Sequence, residues 1–184
     1  KLGIQKILIN TFYLKEQFSE FLHKKNFNLD IKIIEDGKHI LDTGGGIQNM
    51  IKYSNENDFL IFNSDTVWNN NYKDEILKME EMYFSKKLEN ILLLTNKKFS
   101  FDKKLEGDFS LKNNLINKEH EKEFIYIGCQ IINKKLFIKE KIENYSILEI
   151  WNNLLDKKKL FGYESQKEFY HLTDLNVFKK LKDL

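Results

Sequence analysis

The chain has 184 residues, of which 41% are hydrophobic and 32% charged, a composition typical of a globular protein and not of a disordered one. Its net charge of +2 comes from lysines interspersed with acidic residues, which argues against a nucleic-acid-binding surface. No apolar run reaches the roughly 18 residues of a membrane span, so no membrane partner is expected. The single cysteine, Cys129, favours a reducing cytoplasm.

The first half of the chain alternates short apolar segments with amphipathic ones. Strands are predicted at 4–10, 30–34, 59–63 and 91–95, and helices at 14–25, 47–51 and 72–83. Strands that are apolar along almost their whole length are typical of a parallel sheet covered on both faces by helices. The pattern therefore predicts an α/β fold with a Rossmann-like, doubly wound and mainly parallel sheet, in which the strands at 59–63 and 91–95 are central.

The second half is organised differently but shows no repeat and no linker. An extended pair is predicted at 107–115, a long strand at 124–132, and short strands at 160–163 and 169–171. An amphipathic helix surrounds Trp151, which we expect in the core, and a last helix covers about 174–181. We expect one domain over residues 1–184.

Three consecutive glycines, Gly44, Gly45 and Gly46, stand between the second predicted strand and a helix. Ordering them costs entropy, so they tend to persist where a side chain would collide or where φ must be positive. Two interpretations are open: a flexible turn, or a loop whose N–H groups approach a ligand. The stretch matches neither the P-loop pattern nor G-x-G-x-x-G.

A second polar cluster, N-S-D-T at 63–66, ends the third predicted strand. In open α/β sheets, ligands bind outside the carboxyl ends of the strands. Asp65 is suited there to hold Mg²⁺, which prefers oxygen ligands, although an Asp at this point can also cap a turn. Because the glycines follow an adjacent strand, we expect Gly44–Gly46 and Asp65 to border one cleft.

The two clusters together resemble the sugar-1-phosphate nucleotidyltransferases. The matching segments are E-D-G-K-H-I-L-D-T-G-G-G-I at 35–47, F-L-I-F-N-S-D-T-V-W at 59–68, G-D-F-S-L at 107–111 and I-Y-I-G-C-Q-I-I at 125–132. The chain is most similar to a small bacterial branch that includes N-acetylmuramate-1-phosphate uridylyltransferase and mannose-1-phosphate guanylyltransferase-like enzymes. The resemblance implies the nucleotide-diphospho-sugar transferase type of fold. It also implies two substrates, a nucleoside triphosphate (UTP or GTP) and a sugar 1-phosphate.

The resemblance also implies a role for individual residues. The nucleotide would contact Thr43 and Gly44–Gly46, and Asp65 would hold the Mg²⁺ cofactor between the two phosphates. Tyr126 and Gly128 would line the sugar pocket, although Tyr126 by its spacing alone is an ordinary strand aromatic.

The chain departs from the family pattern in two places. The glycine-rich triphosphate loop would precede Lys1, so we expect a βα unit of about 30 residues to be missing and only weak nucleotide binding without it. His171 occupies the position of the second metal-binding Asp, and a histidine suits Mg²⁺ less well than softer ions. Asp174 could substitute for it or could simply cap the last helix.

Two other functions are compatible with the same residues. A metal-dependent glycosyltransferase also uses strand-end acidic residues, although Asn63 occupies the first position of its usual Asp-x-Asp. A non-catalytic sugar-nucleotide-binding protein is the third possibility. His23, His39 and His120 have no metal-site context comparable to that of His171 and are expected on the surface.

Overall fold

A computed structural model describes residues 2–25, 27–118 and 121–182. In chain order, the strands and helices are β1 (Lys6–Thr11), α1 (Lys15–Lys25), β2 (Asp30–Glu35), α2 (Asp42–Ile51), β3 (Asp58–Phe62), α3 (Lys73–Ser85), β4 (Asn90–Asn96), β5 (Ser110–Lys112), β6 (Leu115–Asn117), β7 (Phe124–Asn133), α4 (Leu148–Asp156), β8 (Gly162–Ser165) and α5 (Leu175–Lys182). This order confirms the predicted α/β class and the alternation of strand and helix in the first half.

The described residues form two compact units. The first comprises the described residues up to Asn57 together with Lys134–Asn152, and the second comprises Asp58–Asn133 together with the described residues from Asn153 onward. In the first unit, β1 and β2 pair in parallel and α1 connects them, as expected of a βαβ crossover. The expectation of a single domain stays a prediction.

The second unit contains a four-stranded mixed sheet in the order β3–β7–β4–β8. β7 runs antiparallel to both β3 and β4, whereas β4 and β8 are parallel. The core lies along β4, where the side chains of Ile91, Leu92, Leu93 and Leu94 are completely buried. The predicted central position of this strand is confirmed.

The strand predicted at 59–63 is not central in this sheet. β3 is an end strand of the four, and most of its side chains are only half-buried. An apolar run indicates burial of some kind, but it does not tell a central strand from an edge strand. The ten-residue β7, which lies between β3 and β4, is placed there by long-range pairing that the local pattern does not reveal.

The predicted extended pair in the second half is a short hairpin. β5 and β6 pair antiparallel and are joined by Asn113 and Asn114, which both have positive φ, at 51° and 63°. Positive φ at both central residues is the geometry of a type I′ turn, and asparagine tolerates it well. The expected strand at 169–171 is present only as two isolated bridges, Ser100 with Phe169 and Thr66 with His171.

The different burial of β4 and β3 predicts different costs of truncation. Leu93→Ala should lower the free energy of unfolding by about 3 kcal/mol, because the cavity lies in a fully buried strand. Leu60→Ala removes the same atoms from half-buried β3 and should cost about 1 kcal/mol. Urea unfolding of both variants measures the difference, and equal losses would contradict this description of the core.

Candidate functional site

The N-S-D-T segment leaves β3 and is fastened to the middle of β7. The backbone N–H of Asn63 donates to the carbonyl of Gly128 at 2.7 Å, and the hydroxyl of buried Thr66 donates to the carbonyl of Ile127 at 3.1 Å. Asp65 lies between these two anchors, and its side chain is 50% exposed. The fold thus holds the backbone on both sides of Asp65 while leaving its carboxylate accessible to solvent.

Gly128 is required by this attachment. Its φ is +83°, and a Cβ added there would lie 2.9 Å from both the Asn63 Cβ and the Thr66 hydroxyl oxygen. The register of β7 against β4 also shifts at this point, as in a β-bulge. The contact with the Asp65 loop accounts for this glycine, and its predicted contact with a sugar stays a prediction.

The segment 169–172 lies against the other side of the same loop. Val67 N–H donates to the carbonyl of Tyr170 at 2.9 Å, and Leu172 N–H donates to the carbonyl of Asp65 at 2.7 Å. The imidazole Nδ1 of His171 is 3.1 Å from the Asp65 carbonyl oxygen and 3.8 Å from its carboxylate Oδ1. The structure therefore brings His171 next to Asp65.

Asp174 is occupied at the start of the last helix. Its Oδ1 accepts the backbone N–H groups of Asn176 at 2.7 Å and Val177 at 2.9 Å, which is the geometry of a helix N-cap. The hydrogen bond from Val177 is the main cause of a lowered pKa of this carboxyl. Of the two alternatives for Asp174, the cap is the one observed.

The sequence predicts Asp65 as a metal ligand with His171 or Asp174 beside it, and binding of a metal ion by these residues stays a prediction. Among the described residues, no group of three or more His, Cys, Asp and Glu side chains is arranged to hold a metal ion. At Asp174, the N–H groups at the start of α5 bind one of the two carboxylate oxygens, Oδ1. Asp65 with neighbouring His171 is the part of the predicted set that remains together.

Tyr126 lies in β7, with its hydroxyl oxygen buried. Burial raises the pKa of this phenol well above its usual value, and the charge of Asp65 adds to the shift. Its backbone N–H donates to the carboxylate of Asp108 at 2.9 Å. Loss of water around Asp108 raises the pKa of that carboxyl in turn. The half-buried side chain with its buried hydroxyl fits the interpretation of Tyr126 as a strand aromatic, and the sugar contact stays a prediction.

The three consecutive glycines do not form a loop. Gly44, Gly45 and Gly46 lie inside α2, and all three have negative φ and are buried. The backbone N–H groups of Gly44 and Gly45 donate to the carbonyl of Tyr145, at 2.9 and 3.1 Å. The expectation of a loop with N–H groups open to a nucleotide is therefore wrong for these two residues.

Close approach of the chain around Tyr145 explains the absence of side chains there. A Cβ on Gly45 would lie 2.1 Å from the Glu143 carbonyl oxygen, and one on Gly44 would lie 2.4 Å from the Tyr145 ring. A Cβ on Gly46 would have only side-chain atoms as its nearest neighbours, the Asn10 nitrogen at 3.0 Å and Asp36 Oδ1 at 4.0 Å. Two of the glycines are thus explained by packing within the protein.

Side-chain contacts hold the 139–147 segment on α2. The Tyr145 hydroxyl donates to Gln48 Oε1 at 2.8 Å, and Gln48 Nε2 donates to the Lys139 carbonyl at 2.6 Å. The Lys139 ammonium lies 3.9 Å from the centre of the Tyr145 ring, a cation–π contact. Thr43, predicted to contact the nucleotide, accepts the Ile147 N–H at 3.0 Å with its hydroxyl oxygen.

A half-buried carboxylate, that of Asp36, lies at the carboxyl end of β2. Asp36 Oδ2 accepts from Asn10 Nδ2 at 3.4 Å, while its buried Oδ1 has no hydrogen-bond partner among the described residues. Loss of water is the main cause of a raised pKa of Asp36. The sequence signal for Asp36 is its place directly after a strand, the same kind of signal as that of Asp65. Trp151 is buried and His23 and His39 are exposed, as predicted, and His120 lies outside the described residues.

The sequence matches no protein-family model and no curated protein. Solved structures do match. HddC from Yersinia pseudotuberculosis superposes with a TM-score of 0.72 at 20% identity, over 97% of this chain and 78% of HddC. UDP-glucose pyrophosphorylase from Acinetobacter baumannii gives a TM-score of 0.74 at 13% identity, over 97% of this chain and 76% of that enzyme. The inositol-1-phosphate CTP transferase of T. maritima gives 0.69 at 13% identity, over 95% and 73%.

These matches define the class of fold. The chain has the Rossmann-like fold of the nucleotide-diphospho-sugar transferases, in agreement with the resemblance found in its motifs. One structure of HddC is complexed with GMP-PN, and one of a UDP-glucose pyrophosphorylase is complexed with UDP-glucose. No helix in the described part of the chain has the length and apolar character that a membrane span requires.

The space available for a Cβ differs between Gly45 and Gly46, so alanine at the two positions should change the free energy of unfolding to different extents. Gly45→Ala should destabilise the protein by about 3 kcal/mol, because the added methyl group meets a backbone carbonyl. Gly46→Ala is the matched control: its neighbour is a movable side chain, and alanine favours a helix by about 1 kcal/mol. Thermal and urea unfolding measure the stability of both variants. A Gly45→Ala protein as stable as the control would contradict the close approach of Glu143.

Gly128→Ala should destabilise the attachment of the Asp65 loop, because the substitution combines a positive φ with two contacts at 2.9 Å. We expect a loss of about 2–3 kcal/mol and faster amide hydrogen exchange at Asn63. Exchange at β4 amides, such as that of Leu93, serves as the internal control for global unfolding. Unchanged exchange at Asn63 would show that β7 does not hold the loop.

Proposed function

We propose that this protein transfers a nucleotidyl group from a nucleoside triphosphate to a sugar 1-phosphate and releases pyrophosphate. The observation that carries the proposal is the position of Asp65 in this fold. It is a half-exposed carboxylate at the carboxyl end of β3, where open α/β sheets bind their ligands. The motifs that resemble the nucleotidyltransferases supply the type of reaction.

Asp65 is the residue that would hold Mg²⁺. Its donor chemistry fits this cation, because a solvent-accessible carboxylate can replace one water of the hydrated ion while the others remain. When bound, Mg²⁺ would neutralise negative charge on the phosphates of the two substrates. The protein itself contributes positioning, because the anchors at Asn63 and Thr66 fix the backbone on either side of the carboxylate.

The reaction is an in-line displacement at phosphorus. An oxygen of the sugar 1-phosphate attacks the α-phosphorus of UTP or GTP, a new P–O bond forms, and the bond to the pyrophosphate leaving group breaks. Such a transfer needs aligned reactants and compensated charge more than covalent help from the protein. In this proposal Tyr126 and Gly128 border the sugar, and contact of Thr43 and Gly44–Gly46 with the nucleotide stays a prediction.

The test is a survey of substrate pairs with the natural full-length protein. UTP and GTP are each combined with Mg²⁺ and a panel of sugar 1-phosphates, and pyrophosphate release is followed. We expect release that requires both substrates and the metal. Release of a nucleoside diphosphate from a nucleotide sugar would instead indicate a glycosyltransferase, and binding without turnover would indicate a non-catalytic binding protein.

Asp65→Ala should lower kcat by more than about 100-fold, because even partners of metal ligands contribute 10–100-fold. The stability should change by less than about 0.5 kcal/mol, since the carboxylate is half exposed and contributes little to the core. Asp156→Ala, at an exposed position near the end of α4, is the matched control and should keep full activity. Near-normal turnover by Asp65→Ala would refute the metal role.

A further inference from the structure

The contact between His171 and Asp65 has a defined direction. Nδ1 of the imidazole lies 3.1 Å from the backbone carbonyl oxygen of Asp65. A carbonyl oxygen can only accept a hydrogen bond, so Nδ1 must carry the proton. The Asp65 carboxylate, at 3.8 Å from Nδ1, is beyond hydrogen-bond distance. The neutral ring therefore keeps its lone pair on Nε2 only.

The ring is held in this orientation by its surroundings. It stacks on Phe169, with ring centroids 5.7 Å apart and planes 15° apart, and Phe169 is buried. The backbone of Phe169 is itself bonded on both sides, to Phe99 and to Phe101, each at 2.9 Å. The imidazole is thus oriented by contacts within the protein, to Phe169 and to the Asp65 carbonyl.

The Asp65 carbonyl receives two donors from the same segment. The backbone N–H of Leu172 reaches it at 2.7 Å and the imidazole N–H of His171 at 3.1 Å. Both lone pairs of this oxygen are thereby used. These two hydrogen bonds fix the peptide plane that follows Asp65. Because the backbone of Asp65 is then held in one conformation, its carboxylate can point in fewer directions.

We propose that His171 is a positioning residue for Asp65, not a metal ligand: its Nδ1–H fixes the Asp65 backbone and so aims the carboxylate. The catalytic consequence rests on the proposed function, whereas the hydrogen bond and its effect on the loop do not. Partners that orient a metal-binding residue typically contribute 10–100-fold to metal affinity or activity. This role explains how a histidine can occupy a position next to a site for a hard cation.

Different substitutions at position 171 would preserve the two possible roles of His171, that of hydrogen-bond donor to the Asp65 carbonyl and that of metal ligand. Asparagine places an N–H donor close to the position of Nδ1 but has no imidazole lone pair. Aspartate supplies the oxygen ligand that Mg²⁺ prefers but has no N–H for the Asp65 carbonyl. Glutamine carries its amide one bond further out, near the position of Nε2, and is the matched neutral control for asparagine. His39→Asn, at an exposed histidine, controls for loss of an imidazole elsewhere.

The experiment measures the affinity for Mn²⁺, a spectroscopic probe for the divalent site, by electron paramagnetic resonance for each variant of the full-length protein. Amide hydrogen exchange of Leu172 is measured in parallel. We expect His171→Asn to keep both within about threefold, whereas His171→Gln and His171→Asp weaken Mn²⁺ binding by about tenfold or more and speed exchange at Leu172. Under the nucleotidyl-transfer assay, the same two variants should need correspondingly more Mg²⁺.

The opposite ranking would overturn the proposal. If His171→Asp binds the cation at least as tightly as the wild type while His171→Asn loses it, the imidazole acts as a metal ligand. If Mn²⁺ affinity and Leu172 exchange are unchanged in all variants, His171 has no effect on Asp65. The comparison of Asn with Gln remains decisive if the Asp variant does not fold. Failure of the wild type to release pyrophosphate would refute the proposed function and leave the exchange result intact.

Discussion

The candidate site depends on the absence of a side chain at Gly128. A Cβ at this point of β7 would collide with both Asn63 and Thr66, the two residues that bracket the Asp65 loop. Because the glycine also takes up a positive φ, the strand can bulge locally and present two carbonyl groups to the loop. The segment 169–172 then fastens the loop from its other side. The position of a single accessible carboxylate thus follows from backbone packing in the middle of a sheet.

The lack of room for a Cβ also explains two of the glycines in α2, where it allows close packing of the backbone. Glycine is costly inside a helix, by about 1 kcal/mol relative to alanine, so three in succession need a strong reason. For Gly44 and Gly45 the reason is the backbone at 143–145, which approaches the helix so closely that a methyl group has no room. The cluster of Lys139, Gln48 and Tyr145 keeps that approach in place. A run of glycines in a sequence is compatible both with close packing inside the protein and with close approach of a ligand. The two cases are distinguished by the atoms that surround the glycines in the folded structure.

Asp65 differs from two other acidic residues in the same unit, because their carboxylates already accept backbone hydrogen bonds. Asp174 is held by the N–H groups of α5, and Asp108 is held by Tyr126 N–H. Asp65 differs from them, because its backbone is fixed while its carboxylate remains half exposed. A carboxylate whose backbone is fixed, and whose oxygens are not acceptors of structural hydrogen bonds, is suited to bind a hydrated cation. It can replace a water of the cation without breaking a hydrogen bond that the fold needs.

Four features could be predicted from the sequence: the α/β class, the bounds of most elements within a few residues, the burial of β4 and Trp151, and the nearness of the 169–172 segment to Asp65, which the order of the family's motifs implies. These features depend on local hydrophobic periodicity and on short ordered motifs, which a single sequence displays. The folded structure was needed to show that β3 is an end strand of its sheet, that the glycines lie within a helix, and that Asp174 caps α5. It was also needed to show that Nδ1 of His171 lies next to the Asp65 carbonyl oxygen. Each of these depends on groups far apart in the chain, such as Gly45 with Glu143 or Asp65 with His171, and local pattern carries no information about which distant backbone will fill a given space.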